Sequence, residues 1–121
     1  MPAKPLTIIL DNERPISWNQ YYSGRHWSKR HQEAQRVHQL MRAHIDPNQK
    51  PYDCRVDILM IVYFSKNPYD PTNIPIKLYE DGIKGWIITD DSYKYVRRIS
   101  CEAAIDRQYP RVEITITPVE E

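Results

Sequence analysis

The segment from Arg55 to Phe64 limits the possible folds more than any other part of the sequence. Its residues are mostly apolar, and the two-residue period of a strand places apolar side chains on both of its faces. A strand that is apolar on both faces is typical of the interior of a sheet, where both faces are shielded from water. The segment therefore predicts a central strand at 55–64 and a fold built around a sheet.

Helical patterns lie on both sides of this strand in the sequence. Apolar residues at spacings of three and four predict a helix that Ser28 can cap and that runs to about His44. A second helix is predicted over 73–84, with Asn73 as its N-cap, Pro75 in its first turn and Gly85 at its end. This second helix is expected to pack on the sheet and to present one narrow polar edge.

Three further strands complete the predicted fold. They are expected at 5–10, 93–101 and 111–117, with a turn at 106–110. The last strand alternates regularly and should turn Val112, Ile114 and Ile116 toward the core. The order β-α-β-α-β-β in a chain of 121 residues predicts one α+β domain over 1–121, with a four-stranded mixed sheet and two main helices.

The sequence shows no membrane or secretion signal. No apolar run reaches the ~18 residues that a membrane span needs. The N-terminus lacks the apolar segment of a signal peptide. Cys54 and Cys101 form no Cys-x-x-Cys pair and lie in strand-like sequence, so we interpret them as buried thiols of a cytosolic protein, with a disulfide between them unsupported.

Positive charge is concentrated in residues 23–44. The whole chain has a net charge of only +1, but this segment has a surplus of four positive charges. Such a segment can contact the phosphates of a DNA backbone, or it can be a solvated helix face. Nearby aromatic residues can stack on bases, or they can pack a loop onto the core. Those aromatic residues are Trp18, Tyr21, Tyr22 and Trp27.

Acidic residues bracket the second predicted helix. Asp70 precedes it, and Asp90 and Asp91 follow it. If these carboxylates converge, they form the oxygen-rich site that Mg²⁺ prefers; alternatively they are solvated turn residues. Lys77 lies on the polar edge of the helix, where it can stabilise charge on a phosphate or pair with Asp81 one turn on. Glu80 and Lys84 have the same spacing and are interpreted as a structural ion pair.

These residues together resemble the signature of a known family. Asp70-x-Thr72-Asn73, Lys77, Asp81-Gly82, Gly85 and Asp90-Asp91 resemble the ordered motif of the RusA family of Holliday-junction resolvases. Pro15-Ile-Ser-Trp-Asn19, followed by Tyr21-Tyr22, is similar to the early segment of that family. The predicted element order and the chain length also agree, so the resemblance covers nearly the whole chain.

The resemblance implies a function and a site. It implies a homodimeric endodeoxyribonuclease that uses Mg²⁺, with Mn²⁺ as a substitute, to cut four-way DNA junctions in recombination and repair. Members are often encoded by phages or prophages, which implies the cytoplasm of a bacterial host or infected cell. The implied metal ligands are Asp70, Asp90, Asp91 and Thr72, and the implied catalytic residues are Asp70, Lys77 and Asp91. The predicted DNA-binding residues are Asn19, Arg25, Lys29, Arg30, Arg36 and Asn73.

Thr72 is the main departure from the family pattern. It occupies the position of the second motif aspartate, and its hydroxyl is a neutral and weaker metal ligand than a carboxylate. Two functions therefore remain open: an active junction resolvase, and a catalytically weakened or inactive module that binds branched DNA. A third hypothesis sets the resemblance aside and describes a small phage structural or interaction protein whose aspartates only form turns.

Overall fold

The computed structural model describes residues 3–24 and 26–120. In these residues the chain forms four strands, three α-helices and one 3₁₀ turn, and no helix among them is long and apolar enough to cross a membrane. In chain order the elements are β1 (Leu6–Asp11), α1 (Trp18–Tyr22), α2 (Trp27–Ala43), β2 (Val56–Phe64), the 3₁₀ turn (Pro71–Asn73), α3 (Ile76–Asp81), β3 (Val96–Ile105) and β4 (Arg111–Pro118).

The strands form one mixed sheet in the order β1-β4-β2-β3. β2 pairs parallel with β3 and antiparallel with β4, and β1 pairs antiparallel with β4. The predicted central position of β2 is confirmed, and so are the α+β class and the mixed four-stranded sheet. Because β3 follows α3 and runs parallel to β2, the segment between them returns the chain to the starting end of β2.

One face of the sheet carries the core. Alternate residues of β2, from Val56 to Phe64, are buried, and the inward prediction for Val112, Ile114 and Ile116 is confirmed. Val37 and Met41 of α2 are fully buried in the same cluster. Burying one such side chain contributes about 1.5–3 kcal/mol, so this cluster is the main source of stability.

The predicted helix over 73–84 is wrong in its bounds, because α3 spans only Ile76–Asp81. Asn73 belongs to the preceding 3₁₀ turn and does not cap α3. A proline disfavours the helical conformation of the residue before it, and Ile74, just before Pro75, is extended with ψ 123°. The helix ends at Asp81 with Gly82 as its C-cap, and Gly85 takes its left-handed conformation, φ 78°, in the loop beyond.

Two other elements differ from the sequence prediction. A short helix, α1, forms in addition to the two predicted helices, and its N-cap Ser17 accepts a hydrogen bond from the Gln20 N–H at 3.1 Å. β3 begins later and ends later than the predicted 93–101. Its last residues continue to pair with β2 as far as Phe64 and Ile105, so strand pairing sets its end.

Both cysteines are free thiols. Cys54 lies just before β2, and Cys101 lies on β3; each is half-buried. Burial raises the pKa of Cys101, which keeps its thiol protonated and unreactive at neutral pH.

Candidate functional site

α3 and the loop after it bring lysines and aspartates together. The Lys77 ammonium donates a hydrogen bond to Asp91 Oδ2, and Lys77 Nζ lies 2.9 Å from Asp81 Oδ1. Lys84 Nζ lies 3.5 Å from Asp90 Oδ1 and 3.6 Å from Asp91 Oδ1. We call these five residues the lysine–aspartate cluster. It contains two cations and three carboxylates at neutral pH, so it keeps an excess of negative charge.

The loop that presents Asp90 and Asp91 is fixed to the core. Ile83, Ile87 and Ile88 are fully buried, and the Ile87 carbonyl accepts a hydrogen bond from the Tyr52 N–H at 2.9 Å. The positive φ of Gly85 lets its N–H donate to the Ile88 carbonyl at 2.7 Å. The two aspartates therefore follow a tightly anchored turn.

Gly82 allows the start of this loop to approach α2 closely. A Cβ atom at this position would lie 3.1 Å from the Cβ and Cγ atoms of Met41 and 3.2 Å from the Tyr79 carbonyl oxygen. Such distances are tighter than ordinary van der Waals contact, and Met41 is fully buried and cannot move away freely. Close packing against Met41 thus explains the glycine in the Asp81-Gly82 pair of the sequence motif.

The cluster holds its central pair in the charged state. The hydrogen bond from Lys77 lowers the pKa of Asp91 and outweighs the opposing effect of burial, and the Lys84 charge adds to the lowering. Partial burial lowers the pKa of Lys77, but the hydrogen bonds to Asp91 and Asp81 outweigh this effect and raise it overall. At neutral pH Lys77 is therefore a fixed positive charge and cannot act as a proton acceptor.

Glu80 lies beneath this cluster and was not identified as a site residue from the sequence. It is the one charged residue of the described chain that is buried, at 8% exposure. Burial raises the pKa of Glu80, and the charges of Lys77 and Asp91 act on it in opposite directions. The sequence interpretation, which put Glu80 on the polar edge of the helix beside Lys84, is therefore wrong about its burial. The available signal was its spacing from two apolar residues, since Glu80 is four residues after Ile76 and three before Ile83.

Lys84 differs from its sequence interpretation. It was expected to pair with Glu80 on one helix, but α3 ends at Asp81 and Lys84 lies in the loop. In that loop its ammonium faces Asp90 and Asp91 instead. Because α3 ends before Lys84, this lysine belongs to the candidate site and not to the predicted pair with Glu80.

Asp70 and Thr72 lie around the 3₁₀ turn. The Asp70 side chain is exposed, and its carbonyl oxygen accepts a hydrogen bond from the N–H of half-buried Asn73 at 2.9 Å. Thr72 is exposed and, with Ile76 and residues of β3, lines an open groove of about 370 Å³. The 3₁₀ turn therefore lies close to the start of α3, whose second residue is Lys77.

The donor chemistry of the site suits Mg²⁺. Asp90 and Asp91 offer carboxylate oxygens in a partly exposed loop, which is the ligand type that this ion prefers. Within residues 3–24 and 26–120, no three histidine, cysteine or acidic side chains are grouped closely enough to hold a metal ion. The convergence of Asp70 with Asp90 and Asp91 thus stays a prediction. In the structure Asp90 contacts Lys84, and Asp91 contacts both Lys77 and Lys84.

A second charged network joins α2, α3 and the segment after β1. The Arg36 guanidinium donates to Glu13 at 2.8 and 3.1 Å and to Glu33 at 2.8 Å. The hydroxyl of Tyr79, which is almost fully buried, donates to Glu13 Oε2 at 2.6 Å. Arg36, a predicted DNA-binding residue, is therefore already neutralised by two carboxylates, and hydrogen bonds to both raise its pKa.

The C-terminal end of α1 and the N-terminal end of α2 form an aromatic and basic surface. Tyr22 and Trp27 are 64% and 65% exposed, while Tyr21 is buried and its hydroxyl donates to the Arg30 carbonyl at 3.3 Å. Exposed Lys29 and the Arg30 guanidinium, 5.9 Å from the Tyr22 ring, supply positive charge beside these rings. Tyr21 thus packs on the core, as one interpretation expected, while base stacking by the exposed Tyr22 and Trp27 stays a prediction.

The remaining predicted DNA-binding residues are placed as follows. Asn19 is exposed on α1, and Asn73 lies in the 3₁₀ turn. Arg25 is outside the described residues, so the structure places only its neighbours.

Comparison with known proteins returned no match, either to a protein-family model or to a curated protein. Any functional assignment therefore depends on the residues of this chain and on their geometry.

Proposed function

We propose that this chain is a Mg²⁺-dependent endonuclease that resolves four-way DNA junctions as a homodimer, in the manner of the RusA family. The contact between Lys77 and Asp91 is the observation that carries the proposal. These residues are 14 positions apart and belong to separate parts of the sequence motif, yet a hydrogen bond joins them. A site built for phosphodiester chemistry needs such a lysine beside ionised carboxylates.

The roles of the residues follow from their charge states. Asp91 stays ionised because Lys77 and Lys84 lower its pKa, so it is available as a metal ligand with Asp90 beside it. Asp70 and Thr72 are the further proposed ligands from the 3₁₀ turn. When bound, Mg²⁺ would supply electrostatic activation of the phosphodiester and of water. Lys77 keeps its charge and would turn from Asp91 toward a phosphate oxygen, where it would stabilise developing negative charge.

The surface of α1 and α2 supplies the proposed DNA contacts. Lys29 and Arg30 would bind backbone phosphates, and exposed Tyr22 and Trp27 would stack on bases splayed apart at the branch point. Arg36 would contribute less, because Glu13 and Glu33 already cancel its charge. A twofold-symmetric dimer would match the two symmetric cuts that resolution of a junction requires.

The proposal is tested with a synthetic four-way junction and a linear duplex of the same sequence. We expect the purified protein to bind the junction more tightly than the duplex and to nick opposite strands only when Mg²⁺ is added. Absence of junction preference, together with absence of nicking, would contradict the proposal.

A second candidate is a module that binds branched DNA without cutting it. Thr72 supports it, because a neutral ligand replaces a carboxylate, and so do the contacts of Lys77 and Lys84 with Asp90 and Asp91. The same assay separates the two candidates: the module would prefer the junction but leave it intact at any Mg²⁺ concentration.

A further inference from the structure

β3 leaves one edge of the sheet open. It is the last strand in the sheet order, and in the described residues no strand pairs with its outer side. It is 10 residues long, from Val96 to Ile105, and contains no proline. Its pairing with β2 shifts register once, between Val96 and Arg98, and is regular from Arg98 to Ile105. A long strand with unpaired backbone groups is a template for pairing with another chain unless charges or bulges prevent it.

The register with β2 fixes which face each side chain of β3 occupies. Ile99 and Cys101 are opposite Ile58 and Met60, which are buried, so they lie on the core face of the sheet. Because successive residues alternate, Arg98, Ser100 and Glu102 lie on the other face.

Arg98 and Glu102 carry opposite charges at equal distances from Ser100. Both are exposed. Arg98 lies opposite Asp57 of β2, but the Asp57 carboxylate pairs with the Arg97 guanidinium, and within the described part of the chain neither Arg98 nor Glu102 forms a salt bridge. The sequence around Ser100 is therefore complementary in charge to its own reversed copy.

We propose that two copies of this chain pair through antiparallel β3 edges, with the twofold axis at Ser100. In this register Arg98 faces the partner's Glu102, and Glu102 faces the partner's Arg98. On the core face, Ile99 faces the partner's Cys101. The two sheets then form one continuous eight-stranded sheet, and each cross-strand charge pair is stabilising.

Other registers lose this complementarity. With the axis at Ile99, Arg98 faces the partner's Ser100; with the axis at Cys101, it faces the partner's Ala104. Axes at Arg98 or at Glu102 put like charges opposite each other, which is destabilising. Ser100 is thus the position that pairs both charges.

An apolar groove beside the edge supports the pairing. It is lined by Trp18, Ile76, Ile99 and Cys101, among others, and Ile99 is 41% exposed. Antiparallel pairing at Ser100 would place Ile99 of each copy against Cys101 of the other and remove both from water. The inference names the interface of the homodimer in the proposed function and rests on that function to this extent. The charge exchange below leaves the lysine–aspartate cluster unchanged, so junction binding and cleavage test the nuclease separately.

Charge exchange tests the proposal by sedimentation velocity at micromolar concentration. We expect the natural protein to be a dimer. Arg98→Glu or Glu102→Arg alone should weaken dimerisation by about tenfold or more, because two symmetry-related pairs change from attraction to repulsion. The double variant Arg98→Glu/Glu102→Arg should restore it. Arg107→Glu, in the exposed turn between β3 and β4, is the matched control and should leave the dimer intact.

An equimolar mixture of the two single variants separates a pairing defect from a folding defect. In the mixture each glutamate meets an arginine, so we expect a heterodimer that neither variant forms alone; unfolded chains could not form it. A monomeric natural protein, a dimer indifferent to both single variants, or a double variant that stays monomeric would each overturn the proposal.

Discussion

A hydrogen bond from the Lys77 ammonium to Asp91 Oδ2 joins α3 to the loop that leads into β3. The residues are 14 positions apart in the sequence. Neither an isolated helix nor an isolated loop would bring them together, because the loop reaches Lys77 only when Ile83, Ile87 and Ile88 are buried in the core. The candidate site is therefore a product of the tertiary fold.

This contact predicts a pH dependence of stability. The pKa of Asp91 is lower in the folded chain than its usual 3.8, so its contribution is complete near neutral pH and is lost as the pH falls through the folded pKa. We expect Asp91→Asn to reduce the free energy of unfolding at pH 7 by about 0.2–1 kcal/mol, the usual range for an exposed ion pair. Urea unfolding at decreasing pH should show this difference shrink as Asp91 becomes protonated. A difference that stays constant would contradict the assignment.

Tyr79→Phe should destabilise the protein and leave DNA binding unchanged. The variant removes the buried hydroxyl that donates to Glu13, and a hydrogen bond to a charged group contributes about 1.5–3 kcal/mol. Thermal or urea unfolding measures the loss. Tyr93→Phe is the matched control, because Tyr93 is 85% exposed, and it should have no effect. Equal stability of the two variants would show that the Glu13 network is not structural.

Lys29→Ala combined with Arg30→Ala should weaken binding to all DNA forms. Each lost phosphate contact reduces the magnitude of the slope of log affinity against log salt by about 0.9. The magnitude of this slope should therefore fall by about 1.8 in the double variant. Titration of a labelled junction at several salt concentrations measures this slope. Arg107→Ala is the control on a distant exposed turn. An unchanged slope in the double variant would remove α2 from the DNA interface.

Thr72→Asp should strengthen Mg²⁺ binding. The variant adds a carboxylate beside α3, and carboxylates are stronger ligands for this ion than hydroxyls. We expect cleavage at a lower Mg²⁺ concentration, or the appearance of cleavage if the natural protein has none. Thr72→Val is the matched variant, whose side chain has no oxygen ligand, and it should raise the Mg²⁺ concentration that cleavage requires. If neither variant changes the Mg²⁺ dependence, Thr72 lies outside the metal site.

The sequence predicted the elements whose patterns are determined locally. β2 and β4 could be located because strict alternation or a continuous apolar run persists over their whole length. The long helix α2 was placed within a few residues because its apolar spacing is sustained and Asp46-Pro47 follows it. For these elements the local pattern and the tertiary environment agree.

The remaining features depend on contacts that no local pattern encodes. The short α3 results from the conformation that Pro75 imposes on Ile74, and the late end of β3 results from pairing with Phe64. The pairing of Lys84 with Asp90 and Asp91 follows from the shortened helix. The Glu13–Tyr79 bond spans 66 positions, and no spacing rule reaches that far.

The central claim is that Asp91 belongs to a nuclease site, and the cleavage activity of the Asp91→Asn variant tests it most directly. Asp91 accepts the Lys77 hydrogen bond and is a proposed metal ligand. The Asp53→Asn variant is the control for the loss of one negative charge, because Asp53 is exposed and distant in sequence. Both variants and the natural protein are incubated with a four-way junction and Mg²⁺, and binding and strand nicking are measured together. We predict that Asp91→Asn binds the junction normally but does not cut it, while Asp53→Asn cuts as the natural protein does. Undiminished nicking by Asp91→Asn would contradict the account.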